Sequence, residues 1–329
     1  MKRIRNPVLP IIASFGLLAA VALVPAHADA QAAEVLPFVE KPVREIERAL
    51  LISIDGARPD VMLRAKMPNV RKLMEGGSYT FWARTVPVAI TLPSHASMLT
   101  GVTPEKHGIT WNRELDDADA ARPKVPTLFE IAMRHGVTTG VVAGKSKFSA
   151  FAQPGHVGRG WTQAAKDKEV AAAAVDMIES YHPELLFVHF PGADKAGHAV
   201  GWASPEQVAA LEEIDKQIGR VIEAIDRSGD RDKTVILLSG DHGGAGRGHG
   251  ISGAGAPPDD PRNQHIPWII NGPGLRKNYD LSRDAKLQIR TMDTFATLCC
   301  FLGITAEGEI DGKPVMLAVE ERQLLQESK

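Results

Sequence analysis

Five short apolar runs rich in β-branched residues punctuate the chain, at 49–54, 138–143, 184–190, 234–238 and 266–270. Within them polar residues do not alternate with apolar ones, which is the pattern of strands buried on both faces rather than strands with one wet side. Between them lie stretches with apolar residues at helical spacing, at 67–75, 125–135, 168–181 and 205–227. The alternation predicts βαβ units, hence an α/β fold with a mostly parallel central sheet and helices on both faces. No repeat or composition break divides the run, so 49–329 is expected to form a single large domain. Two excursions interrupt it: 112–126 is polar and acidic, and 243–264 is so rich in Gly, Pro and Asp that it reads as loop.

The first 28 residues carry a different pattern. Lys2, Arg3 and Arg5 precede an apolar stretch at 11–24, and Ala26-His27-Ala28 offers the small residues of a cleavage site, with a cut after Ala30 also compatible. Pro10 and Pro25 bound the apolar stretch, which falls short of the roughly 20 residues that a bilayer requires. The expectation is a signal peptide at 1–28, a lead-in at 29–48, no stable membrane anchor, and export across the inner membrane to the periplasm.

Composition narrows the function. The 329 residues hold 38 Lys+Arg against 40 Asp+Glu, a formal charge of −2, and loss of the first 28, with three bases and no acid, leaves −5. So mildly acidic a chain is not expected to bind a nucleic acid polymer. Hydrophobic residues at 44% and charged residues at 24% exclude a disordered, collagenous or multi-span membrane chain. The only cysteines, Cys299 and Cys300, are adjacent in an apolar segment and read as two buried helix thiols, not as a disulfide framework.

The chemistry gathers where strands end. Asp55 follows the first apolar run, Asp194 lies shortly after the third, and Asp241 follows the fourth. In open α/β sheets the carboxyl ends of strands are where ligands bind, so three acids there suggest one shared site. Asp194 and His198 are one helical turn apart, His242 adjoins Asp241, and the glycine-rich 243–248 is flexible enough to return His249 to the same edge. Three carboxylates and three imidazoles without thiolate suit Zn²⁺, with Mn²⁺ or Fe²⁺ as alternatives, and exceed what one catalytic ion needs. Two divalent metal ions are expected. A hydroxyl candidate lies in Thr91-Leu-Pro-Ser-His95, where Pro93 favours a helix start and free amides would attract an anion. Ser94 and Ser97 are alternative hydroxyls, and His95 and His107 read as structural.

Taken together, Asp55 after a buried strand, Thr91-Leu-Pro-Ser-His95 continuing to Thr100-Gly-Val-Thr-Pro-Glu-Lys-His-Gly-Ile109, Asp194-x-x-x-His198 and Ser239-Gly-Asp-His-Gly243 resemble the alkaline phosphatase superfamily, in its type I phosphodiesterase and nucleotide pyrophosphatase branch. The resemblance runs from about residue 49 to about 274. It implies an alkaline phosphatase-like fold in which Asp194, His198 and His249 hold one zinc while Asp55, Asp241, His242 and the Thr91 hydroxyl hold the other. His265 is the competitor for the place of His249. It further implies that Thr91 is the covalent nucleophile, that Asn112 donates to a non-bridging phosphoryl oxygen, and that the substrate is a small phosphorylated molecule.

The nucleotide-binding members of this branch carry a long aromatic stretch after that asparagine, whereas Arg113 to Lys124 here is compact and acidic, with Trp111 and Trp82 the nearest large rings. Lys145 and Lys147, after a strand end, resemble the paired lysines of phosphonoacetate hydrolases in the same superfamily and are candidate contacts for an anionic part of the substrate. A phosphomonoesterase or phosphonate hydrolase is therefore the alternative activity. A periplasmic metal- or anion-binding protein is the non-enzyme alternative. The lack of a Cys/Ser-x-Pro-x-Arg segment speaks against a sulfatase. The tail at 319–329 reads as a charged helical end.

Overall fold

The structure, a computed structural model, describes residues 36–117, 119–250, 257 and 259–321. The expected signal peptide, positions 29–35 of the lead-in and 322–329 of the tail lie outside them. The apolar runs form strands β1 (Arg48–Ile54), β2 (Gly77–Arg84), β3 (Thr139–Ala143), β4 (Arg159–Thr162), β5 (Leu185–Phe190), β6 (Thr234–Gly240), β7 (His265–Asn271) and β8 (Tyr279–Asp280). The helices are α1 (Pro59–Met62), α2 (Pro68–Glu75), α3 (Thr91–Thr100), α4 (Pro104–His107), α5 (Leu128–Arg134), α6 (Asp167–Tyr181), α7 (Gly192–Val200), α8 (Pro205–Ser228), α9 (Pro261–Gln264) and α10 (Asp293–Leu302).

The eight strands make one sheet in the order β4-β3-β5-β1-β6-β7-β2-β8. Strands β4, β3, β5, β1 and β6 run parallel, and β7 runs antiparallel to both its neighbours. Successive residues of a strand enter opposite layers. Leu51, Phe187, Leu237 and Trp268 pack with Leu92, Phe129 and Phe295 from α3, α5 and α10. Ile52, Val188, Leu238 and Ile269 pack with Val70, Ile178 and Ile218 from α2, α6 and α8. Both faces are dry, which is the physical reason that these strands show no polar alternation.

All five expected strands and four expected helices are present. Three strands were not legible. β2 mixes exposed Trp82 and Arg84 with buried positions, β4 begins with two exposed residues, and β8 is only two residues long. Helix α5 begins at Leu128, later than its apolar period suggests, because Thr127 and Glu130 form a capping box there. The loop expected at 243–264 ends in a helix, α9, started by Pro261 and capped by Asp260. Cys299 is buried in α10 and Cys300 only half-buried, and the structure places no disulfide between them. Among the described residues no helix is long and apolar enough to cross a membrane.

One buried acid ties a long helix to a short one. α2 starts after Met67 without a side-chain cap of its own. Asp215, fully buried on α8, accepts from the amides of Asn69 at 3.2 Å and Val70 at 2.8 Å, so the cap comes from a different element. Asp215→Ala leaves both amides unpaired in the core and is expected to cost about 2–4 kcal/mol, read as a lower midpoint in urea unfolding.

This topology brings the carboxyl ends of β3, β5, β1 and β6 side by side along the sheet edge. Lys145, Asp194, Asp55 and Asp241 all follow those ends.

Candidate active site

Asp55 leaves β1 with its amide bonded to the carbonyl of Phe190 at 3.0 Å, so the ends of β1 and β5 stay together one residue past the strands. Gly56 then turns with φ +71°, and a Cβ there would lie 2.9 Å from the Cα of Asp194. Only glycine lets the two acid-bearing segments come so close. Asp241, at the end of β6, accepts from the amides of Gly56 at 3.0 Å and His242 at 2.9 Å through Oδ1. Its other oxygen, Oδ2, takes no hydrogen bond.

The three imidazoles share one device. His242 Nδ1 donates to the carbonyl of Gly243 at 2.9 Å, His249 Nδ1 to Ala89 at 2.9 Å, and His198 Nδ1 to Arg247 at 2.9 Å. A carbonyl can only accept, so each ring carries its proton on Nδ1 and presents Nε2 as a lone pair. Those of His198 and His249 face each other at 3.0 Å, an arrangement that repels unless a cation or a proton lies between.

The candidate ligand atoms gather in two groups that share Asp194, one with His198 and His249 and one with Asp55 and His242, and Asp241 approaches the second through His242. Asp194 Oδ1 lies 3.3 Å from His198 Nε2 and 3.5 Å from His249 Nε2. His242 Nε2 lies 3.5 Å from Asp55 Oδ1 and 3.2 Å from Asp241 Oδ2. Ligands about 2.0–2.2 Å from a tetrahedral zinc stand roughly 3.3–3.6 Å apart; the Asp194–His198, Asp194–His249 and Asp55–His242 pairs have that spacing, and the His198–His249 and His242–Asp241 pairs stand slightly closer. Asp55 Oδ1, Asp194 Oδ1, Asp241 Oδ2 and His242 Nε2 are all buried without a hydrogen-bond partner. Four such atoms converging on two points is costly unless cations satisfy them. The residues therefore fit metal ions, and His249, not His265, stands with Asp194 and His198. His265 opens β7 and meets Trp82 edge-on at 5.2 Å.

Burial opposes charge here and the neighbours decide the outcome. Desolvation raises the carboxyl of Asp55, but the ammonium of Lys145 and a hydrogen bond from His189 outweigh it and hold the acid well below the usual range. Asp194 is likewise held low, with Lys145 and His198 overcoming burial and the repulsion of Asp55. At Asp241 burial and the charge of Asp55 outweigh the Gly56 amide and the more distant pull of Lys145, and push it well above the usual carboxylate range. Burial and the neighbouring His249 lower His242 to about 3, which keeps it neutral as a ligand must be.

Thr91 is the first residue of α3 and is 1% exposed. Among the described residues no hydrogen bond takes up its hydroxyl. Ser94 is engaged, with Thr85 Oγ1 at 2.7 Å and the carbonyl of Asp241 at 2.7 Å, and Ser97 meets His107 Nε2 at 3.0 Å. Of the free amides expected at this helix start, no hydrogen bond among the described residues takes up that of Thr91, while the next positions are used or lack a hydrogen. Leu92 donates to Asn112 Oδ1 at 3.1 Å, Pro93 has no amide hydrogen, and Ser94 bonds back to the carbonyl of Ile90 at 3.1 Å. Asn112 Oδ1 also accepts from Lys147 Nζ at 2.7 Å, which leaves its Nδ2 group as the donor.

Lys145 does not point outward as a strand-end lysine ordinarily would. Its ammonium lies 2.7 Å from Asp55 Oδ2 and 2.6 Å from Asp194 Oδ2. Two further residues escape a sequence reading. His189 in β5 holds Asp55 Oδ2 at 2.8 Å, and its only signal is a titratable residue in an apolar strand. Trp202 donates from its indole to the carbonyl of Gly56 at 3.2 Å and meets His198 edge-on at 5.1 Å and His249 at 5.6 Å. A Cβ on Gly244 would collide with that indole at 2.3 Å, so the glycine-rich loop passes close over the ring. His95 is structural, bonded to Ser53 Oγ at 2.7 Å and to the carbonyl of Thr91 at 2.8 Å.

Residues 49–248 match the family described as type I phosphodiesterase / nucleotide pyrophosphatase. The chain belongs to this family. That places it in the alkaline phosphatase superfamily. Among curated relatives, an uncharacterized pyrophosphatase/phosphodiesterase of Schizosaccharomyces pombe is 29% identical across 59% of this chain and 44% of that protein. Human ectonucleotide pyrophosphatase/phosphodiesterase family member 1 is 23% identical across 60% of this chain and 24% of its own length. The bis(5'-adenosyl)-triphosphatase ENPP4 of Bos taurus is 23% identical across 60% and 47%. The chain thus spans less than half the length of these curated relatives. In fold it is similar to murine ectonucleotide pyrophosphatase / phosphodiesterase 5, with a TM-score of 0.70 at 16% identity, covering 83% of this chain and 100% of the other. An inactive threonine-to-alanine variant of that murine protein was solved in complex with AMP.

Proposed function

We propose that this chain is an exported hydrolase of phosphodiesters and nucleotide pyrophosphates that works with two divalent metal ions, zinc foremost, and a covalent phospho- or nucleotidyl-threonine. The carrying observation is the set of four buried, unsatisfied atoms on Asp55, Asp194, Asp241 and His242, beside two groups with metal-ligand spacing, Asp194, His198 and His249 and Asp55, Asp194 and His242. Asp194, His198 and His249 would hold one ion, and Asp55, Asp241, His242 and the Thr91 hydroxyl the other. Bound there, the ions would supply Lewis-acid charge for the phosphoryl oxygens and lower the pKa of the threonine hydroxyl and of water.

The chain's own residues do the rest. Thr91 Oγ1 attacks phosphorus in line, the threonine–phosphorus bond forms, and the bond to the leaving oxygen breaks. Water then attacks the same phosphorus from the vacated side and returns the threonine. Asn112 offers Nδ2 to a non-bridging oxygen, its orientation secured by the donors Leu92 and Lys147 on Oδ1. The inactive threonine-to-alanine variant of the murine relative supports a threonine in this role. Export rests on the basic, apolar and small-residue pattern of positions 1–28.

One observation favours the second reading, a phosphomonoesterase or phosphonate hydrolase. A cavity of about 250 Å³ is lined by Lys145, Lys147 and Lys195 with Glu114, a basic mouth suited to an additional anionic group. Rings that could stack a base are poorly placed. Trp111 packs on the core, and Trp82 borders grooves that contain none of the candidate catalytic residues.

A zinc-supplemented panel of a p-nitrophenyl nucleotide diester, bis-p-nitrophenyl phosphate, p-nitrophenyl phosphate and phosphonoacetate separates the readings. Diester preference is expected; preference for the monoester or phosphonoacetate transfers the assignment to the second reading, and no turnover at all favours a binding protein. Lys147 supplies a pH signature. Burial and the charge of Lys145 lower it to about 8, so its ammonium is present below that pH and lost above it. For substrates with an extra anionic group, kcat/KM is expected to fall about tenfold as pH rises through 8, and Lys147→Met is expected to remove that limb.

A further inference from the structure

Lys145 reaches the site from the far side of β5. It follows β3 through Gly144, and its ammonium bonds the outer oxygen, Oδ2, of both Asp55 and Asp194. Asp55 Oδ2 also takes His189 Nε2 at 2.8 Å. The inner oxygens, Oδ1 of each acid, are the buried ones without a partner; that of Asp194 faces His198 and His249, that of Asp55 faces His242, and the two acids also lie within reach of one shared group with His242. One ammonium therefore turns two carboxylates so that each shows its free oxygen to the imidazoles, Asp194 to His198 and His249 and Asp55 to His242. Among the described residues Lys145 is the one lysine or arginine paired with any of the acids Asp55, Asp194 and Asp241. Without a cation these acids would repel one another in a dry site.

We infer that Lys145 is a resident counter-ion, a positioning residue that holds Asp55 and Asp194 in their ligating pose before any metal enters. The inference rests on the two-metal reading above. It gives Lys145 a role distinct from that of Lys147, whose ammonium meets Asn112 instead of an acid. Once divalent ions neutralise the inner oxygens, the ammonium's attraction to the same carboxylates is largely offset by its repulsion from the ions. Its stabilising effect is thus concentrated in the metal-free protein. A lysine whose task were substrate binding would show no such dependence on metal.

The test is thermal unfolding of wild type, Lys145→Met and Lys147→Met, each stripped of metal and each loaded with zinc. Lys145→Met is expected to lower Tm by roughly 5–10 °C in the stripped protein and by less than half as much in the loaded protein. Lys147→Met is expected to shift both forms alike. Asp194→Asn added to Lys145→Met is expected to recover part of the stripped protein's loss, because it removes one of the two charges that repel. Equal losses with and without zinc, no loss in the stripped form, or the same contrast in Lys147→Met overturns the inference. If stripped Lys145→Met does not fold, refolding in zinc decides: recovery supports the role, and failure in both conditions overturns it. A wild type whose Tm ignores zinc sinks the metal reading itself and this inference with it.

Discussion

Thr91→Ala is expected to lower kcat/KM for diester hydrolysis by about 10³-fold or more while leaving a folded protein that still binds metal. The change removes the hydroxyl that would form the bond to phosphorus, a loss of at least about 4 kcal/mol of transition-state stabilisation. Its structural cost is small. No hydrogen bond among the described residues depends on that hydroxyl, and alanine suits the first turn of α3. Three observables separate a nucleophile from a residue that only caps a helix. Acid quenching during turnover should trap phosphorus on the wild-type protein and none on the variant. Thr91→Ser, which keeps the oxygen, should retain measurable turnover. Zinc content should stay near the wild-type value because Asp55, Asp241 and His242 remain. Undiminished turnover in Thr91→Ala would return the search to Ser94 and Ser97, although both hydroxyls are bonded inside the protein.

The parts of this site that the sequence displays are those set by local pattern. Asp55 and Asp241 stand at the ends of uninterrupted apolar runs, and a strand buried on both faces is among the plainest signals that a chain carries. Asp194 and His198 are one helical turn apart, so a single element, α7, presents both. The rest depends on contacts distant in sequence. Lys145 looks like an exposed turn lysine until β3 is placed beside β5 and β5 beside β1, which carries its ammonium to two acids. Trp202 has no neighbouring motif, and its position behind His198 and His249 exists only once α7 and the glycine-rich loop have folded over it. That His249 stands with Asp194 and His198 while His265 begins the antiparallel strand β7 likewise emerges only from topology. β2 was missed because its faces see different surroundings, one buried and one carrying Trp82 at 64% exposure, on a strand near the sheet's edge.

Removing metal is expected to abolish turnover and restoring it to require two equivalents of zinc per chain. The candidate ligand atoms form two groups that share Asp194, one with His198 and His249 and one with Asp55 and His242, beside which Asp241 Oδ2 also lies unpaired, so a single ion would leave buried lone pairs without a cation. Zinc at about a thousandfold excess over Kd adds about 4 kcal/mol to stability, so a loaded sample should unfold at a distinctly higher temperature than a chelated one. The pH dependence has a definite sign. Asp194 holds His198 above the ordinary imidazole value, while burial and Asp55 raise Asp241, so both bind protons more tightly than free side chains do. A metal must displace those protons, so affinity falls as pH drops from neutrality and protons are released on binding. Asp55 and Asp194, already held low, contribute little to that release until the solution is strongly acid. Titrating zinc into the chelated protein in weak buffer near pH 6 measures proton release and stoichiometry together. His198→Ala is expected to reduce the count from two to one, because Asp194 and His249 alone make a poor site while the Asp55, Asp241 and His242 cluster is untouched. A wild-type count of one, or a count of two that survives His198→Ala, would require a different division of the ligands.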